Sequence, residues 1–179
     1  MSDDELHGRI EPPISADERS MLAGYLDYQR GTLVWKASGL TQAQLAQPTV
    51  PSAELTVGGL VKHMALVEDS WFTDRFAGNG LPEPWASVDW GADRDWEFHT
   101  AADDTPEQLL AQYAESCERS RAVLAGAESL DTFIVNTNPN DPRPGFSLRW
   151  MLVHMIEETA RHNGHVDLLR EAIDGLTGE

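Results

Sequence analysis

Apolar residues return at helical spacing along most of the chain, and four long helices follow from that pattern. The first is predicted over about Ser15 to Lys36, with Leu22, Tyr25, Leu26, Gln29 and Leu33 on one face and capping-box spacing between Ser15 and Glu18. A short helical turn is expected at Thr41 to Leu45, ended by Pro48. The second long helix starts after Thr56, an N-cap residue, and runs to about Phe76, with Leu60, Met64, Val67 and Trp71 recurring along it. In the third, Thr105 caps, Pro106 takes the first helical position and Gln108 completes a capping box. Its stripe is Leu109, Tyr113, Cys117 and Leu124. The fourth follows Ser147 and ends near Asp174, where Gly175 suits a C-terminal cap. Leu148, Leu152, Met155, Thr159, Val166, Leu169 and Ile173 gather on its apolar side. Phe133-Ile134-Val135 is a short β-like run with no evident partner.

Helices of roughly 20 to 28 residues are long enough for an up-and-down bundle. The expected fold is therefore all-α, a four-helix bundle with two long connecting loops, 77–104 and 127–146. Residues 1–14 are expected to form a flexible N-terminal segment and residues 15–179 a single domain. The first loop holds Trp85, Trp90 and Trp96, half of the tryptophans. Trp is costly to leave in water, so this loop should fold back on the bundle. It then serves either as a satellite core beneath the crossover or as a wall or lid over a site.

Charge narrows the function. Acidic residues outnumber basic ones 30 to 13, a formal net charge of −17, which repels phosphate backbones and anionic lipid. Neither a nucleic-acid nor a membrane partner is expected. No run approaches the ~20 apolar residues of a bilayer span. The opening MSDDELHGRIEPP has no apolar core of a signal peptide, and Cys117 is the only cysteine. These features predict a soluble protein of a reducing cytoplasm. Cys117 falls on the apolar stripe of the third helix, where a thiol packs as a small hydrophobe rather than acting as a nucleophile.

The fourth helix carries polar residues where its pattern calls for apolar ones. His162 lies within the apolar face and Glu158 at its edge, one turn earlier; His165 and His154 lie toward the rim. A carboxylate near a bundle core costs several kcal/mol unless paired, protonated or bound to a cation. The helix has no Lys, and Arg149, Arg161 and Arg170 fall mostly on other faces. On the second helix His63 stands beside the inward stripe. If the two helices face one another, His63 meets Glu158 and His162. One histidine alone is an ordinary hydrogen-bonded core residue, and one Glu-x-x-x-His pair an ordinary i,i+4 contact. Together the three form a two-imidazole, one-carboxylate set suited to catalytic zinc, and also to iron(II) or nickel(II). His154, one turn before Glu158, is an alternative ligand or an outer partner. The His-Glu-x-x-His pattern of metalloproteases is absent.

The string Ser147-Leu148-Arg149-Trp150-Met151-Leu152-Val153-His154-Met155-Ile156-Glu157-Glu158-Thr159-Ala160-Arg161-His162-Asn163-Gly164-His165, with Leu60-Val61-Lys62-His63, Glu68 and Trp71, resembles the DinB superfamily of metal-binding four-helix bundles. Its nearest likeness is to the branch of mycothiol-dependent S-transferases and maleylpyruvate isomerase. The likeness runs over nearly the whole chain from about Ser15. It implies His63, Glu158 and His162 as ligands of one divalent metal, zinc foremost, with nickel or iron admissible. Many relatives have His at the position of Glu158; the His-Glu-His version looks like the mycothiol-linked branch. The resemblance also implies a zinc-dependent thiol S-transferase that activates a low-molecular-weight thiol such as mycothiol against a small electrophile, and it admits a homodimer. Arg149 and Arg161 are candidates for recognising the thiol by position only, and a solvated surface role is the first expectation for both. Two other functions fit the ligand set: a non-catalytic metal-binding bundle with a structural or stress-related role, and a 2-His-1-carboxylate iron oxygenase.

Overall fold

The computed structural model describes residues 9–52, 54–135 and 144–177. Helix α1 spans Glu18–Ala37, α2 Gln42–Leu45, α3 Val57–Glu68, α4 Trp96–Thr100, α5 Pro106–Gly126 and α6 Leu148–Asp174. The four long helices are α1, α3, α5 and α6, as expected. α1 packs mainly on α6 and α3 mainly on α5.

The helix ends follow their local signals. Thr56 accepts from the Gly59 N–H, Thr105 and Gln108 close a capping box, Ser147 accepts from the Trp150 N–H, and Gly175 ends α6 with φ +80°. Each such cap contributes about 1 kcal/mol. At α1 the cap is Asp17 rather than Ser15: its carboxylate accepts both the N–H and the hydroxyl of Ser20, and the first turn begins later than the spacing suggested. The short turn at α2 is present, with Thr41 and Gln44 closing a second capping box. α3 does not stop at Glu68 but continues to Phe76 in wider π-helical turns, in which the Ala77 N–H reaches the Phe72 carbonyl at 3.0 Å.

Phe133–Val135 has a partner after all. It pairs antiparallel with Gly145–Ser147, Ile134 opposite Phe146, and the hairpin leads straight into the cap of α6. Periodicity missed the second strand because three residues carry too little pattern. The first eight residues of the chain lie outside the described part. Arg9 is buried against α1, its guanidinium over the rings of Tyr28 and Trp35 and bonded to the Thr32 hydroxyl. Among the described residues no helix is long and apolar enough to cross a membrane.

Two apolar clusters fill the bundle. One gathers Leu33, Leu60, Met64, Leu109, Tyr113, Cys117, Val166 and Leu169; the other Leu26, Trp71, Phe72, Leu124, Leu148, Met151, Leu152 and Met155. Trp85 enters the first cluster, 1% exposed, so the loop 77–104 folds back on the bundle. On the predicted stripe of α1, Leu26 and Leu33 are buried and Tyr25 is half exposed; Arg30, Thr32, Lys36 and Ala37 of this helix are buried as well.

Between the clusters the helices turn polar at a common level. Arg30 of α1 makes a two-pronged bond to Glu68 of α3, Nε to Oε1 at 2.7 Å and Nη2 to Oε2 at 2.6 Å. Burial works against the Arg30 charge, but Glu68 outweighs it and holds the guanidinium protonated. Beside this pair, fully buried Asp69 accepts from Trp85 Nε1, the Ser116 hydroxyl and Arg119. The same polar level on α6 carries the candidate site.

Candidate metal centre

Two buried polar side chains lie on the inner face of α6, and one of them reaches α1. The Thr159 hydroxyl turns back onto the Met155 carbonyl at 2.7 Å, and the Asn163 amide donates to both the carbonyl and the side-chain oxygen of Gln29, at 2.9 and 2.8 Å. The Asn163 bonds tie α6 to α1, whereas the Thr159 bond lies within α6. The residues immediately before these two, Glu158 and His162, lie on the side of the helix that meets α3.

There His63, Glu158 and His162 come together, with one possible donor atom from each within 4.8 Å of the others. The His162 Nε2 lies 3.6 Å from Glu158 Oε1, and the rings of His63 and His162 meet edge-on at 5.2 Å. Side-chain exposures of 23% for His63, 22% for Glu158 and 14% for His162 place the group at a mouth, shielded but open to a small molecule.

Burial, with help from the neighbouring His63, lowers the His162 pKa to about 4, against an opposing pull from Glu158. At pH 7 this imidazole is neutral and carries a lone pair. Glu158 therefore lacks a cationic partner: among the described residues neither Lys nor Arg reaches it, and His162 is uncharged. A half-buried carboxylate beside two imidazoles, with no Lys or Arg among the described residues to pair with it, fits a divalent metal.

The crossover after α3 supplies a residue that periodicity could not reveal. Glu97 of α4 is 4% exposed, and its Oε1 lies 2.8 Å from His63 Nδ1. Phe98 lies on the other side of the same imidazole, stacked at 5.0 Å and 29°. The satellite core and the wall are thus one structure: Trp85 packs into the bundle while Glu97 and Phe98 back the site.

Other expectations resolve separately. His154 stands apart from the cluster, stacked on Trp150 at 5.1 Å and edge-on to Trp71 at 4.6 Å. His165 lies next to His162, Nδ1 to Nδ1 at 3.4 Å. Arg149 is engaged with Glu18 and Asp131, and Arg161 with Glu157, so both serve surface ion pairs. Cys117 is buried, and burial above all pushes its thiol up to about 12. As expected, it packs as an apolar residue.

Residues 21–175 match a family model described as mycothiol-S-transferase. The chain is also similar in fold to a conserved protein from Enterococcus faecalis known from a crystal structure: TM-score 0.68, 17% identity, over 90% of this chain and 100% of that one. Among curated proteins the chain has no match.

Proposed function

The chain belongs to the mycothiol-S-transferase family, and on that premise we propose that His63, Glu158 and His162 hold one divalent metal, zinc foremost, where a low-molecular-weight thiol such as mycothiol is directed at a small electrophile. The observation that carries this reading is the convergence of three donors from α3 and α6, one of them a carboxylate with no Lys or Arg partner among the described residues. A metal bound there supplies the positive charge that holds a thiol as thiolate at neutral pH, where a free thiol of pKa about 8.5 is mostly protonated.

The chain's own residues then have definite tasks. His162, kept neutral by burial, offers its lone pair without first losing a proton. Glu158 contributes the single negative charge of the set, which leaves a net positive centre for an anionic sulfur. Phe98 and the packed crossover exclude water from one side, and the partial exposure of all three donors leaves the other side open to two small reactants. No protein nucleophile is needed, and Cys117 is too deeply buried to be one. In the displacement form of the reaction a sulfur–carbon bond forms, the bond from carbon to the leaving group breaks, and the thiol proton departs with that group.

The test is thiol consumption with mycothiol and a panel of alkyl and aryl electrophiles, using zinc-loaded protein and the His162→Ala variant. The expected result is an enzyme-dependent rate that the variant lacks. Stoichiometric zinc with no transfer across the panel would instead support a non-catalytic bundle. Stoichiometric iron in the purified protein would turn attention to oxygen chemistry.

A further inference from the structure

A histidine binds metal through one nitrogen, and which nitrogen is free depends on what the other one bonds. At His63 the structure answers through the crossover rather than through α3 itself. Glu97 is buried to 4% exposure, its Oε1 is 2.8 Å from His63 Nδ1, and its Oε2 is buried with no hydrogen-bond partner. A carboxylate placed in so dry a position needs a purpose, since its desolvation is costly.

The surroundings hold Glu97 at that spot from three directions. Lys62, the residue before His63, bonds the Thr100 hydroxyl at 2.9 Å and Asp104 at 2.6 Å, and its ammonium lies 4.5 Å from the centre of the Trp96 ring. Trp85 anchors the start of the crossover in the core. Phe98 enters a notch left by Gly59, where an added Cβ would come within 2.7 Å of the ring. Gly59 sits one helical turn before His63, so Phe98 reaches the imidazole face only because that position has no side chain. Glycine inside a helix is less favourable than alanine, and the seating of Phe98 accounts for its presence here.

We propose that Glu97 is a positioning residue: its carboxylate accepts a hydrogen bond from the Nδ1–H of His63, fixes the tautomer and ring orientation, and leaves Nε2 bare for the metal. The role rests on the metal centre proposed above. A carboxylate behind a ligating histidine raises its basicity, and loss of such a partner weakens metal binding roughly 10- to 100-fold.

The experiment is zinc titration of the full-length chain against a chromophoric chelator, for the unaltered protein and for Glu97→Ala, Glu97→Gln and His63→Ala. Glu97→Ala should bind zinc 10- to 100-fold more weakly, with the melting temperature of the zinc-free protein shifted by no more than about 3 °C. Glu97→Gln keeps an acceptor for the Nδ1 proton and should recover most of the affinity. His63→Ala should lose binding altogether. Wild-type affinity in Glu97→Ala, with binding lost in His63→Ala, would overturn the positioning role alone. Wild-type affinity in His63→Ala would overturn the metal centre itself. Should Glu97→Ala fail to fold, the unaltered zinc-free protein decides by long-range nitrogen–proton NMR at pH 8. A proton on Nδ1 of His63 is expected, and one on Nε2 would overturn the proposal.

Discussion

A carboxylate 3.6 Å from a neutral imidazole gains little from it, and that is the position of Glu158 beside His162. If the residue serves the fold, its neutralisation should disturb the fold; if it serves a metal, the fold should hardly notice. Glu158→Gln is accordingly expected to change the stability of the metal-free protein by no more than about 0.5 kcal/mol in urea, while weakening zinc at least tenfold. A stability loss of several kcal/mol without a change in zinc affinity would assign Glu158 to the fold. Cys117 gives a second test. With its thiol pushed up to about 12, about one molecule in ten thousand carries a thiolate at pH 8. Native protein should resist Ellman's reagent at that pH, and urea should release one reactive thiol per chain. Because the folded thiol keeps its proton where the unfolded one loses it, Cys117 should also reduce stability as pH rises from about 9 toward 12. At this scale the sequence shows His162, which interrupts a helical stripe, and Glu158 and His63, which stand at the edge of one. It hides Glu97, which lies in a five-residue helix too short to show a period and takes its meaning from a neighbour 34 residues away.

The helices were legible at their ends because caps are local chemistry: Thr56, Thr105, Ser147 and Gly175 act within one turn of themselves. The run of the second long helix to Phe76 was legible too, but its π-helical winding over Asp69–Phe76 was not, since nothing within the segment demands it, and the partners of Asp69 come from Trp85, Ser116 and Arg119 elsewhere. The same holds for Arg30 and Glu68, which join α1 to α3 across the polar level of the core at 4% and 0% exposure. Removing Glu68 leaves the buried Arg30 guanidinium with only the half-exposed Asp27, at 2.9 Å, so Glu68→Ala should cost about 3 kcal/mol of unfolding free energy in urea. A loss below 1 kcal/mol would show that water or another acidic group takes over the Arg30 guanidinium.

Over the whole molecule, two apolar clusters are separated by a polar level on the long helices, and the candidate metal site opens from that level. The bundle and its long connections could be anticipated from periodicity. The polar level could not, because it depends on the helices being in register, which no single helix encodes. The net charge of −17 acts at this scale too. Self-repulsion should make the metal-free protein more stable in 300 mM sodium chloride than in 20 mM, read as a rise in melting temperature. A fall would mean that ion pairs such as Arg149 with Glu18 outweigh the net charge.

The central claim is that three donors from α3 and α6 make one metal site. It is tested most directly by elemental analysis of protein purified without chelator or metal-affinity tag, beside the His162→Ala variant. One zinc per chain, absent from the variant, is the predicted result. Equal metal content in both, or none in the unaltered protein after loading with zinc, nickel and iron(II), would contradict it.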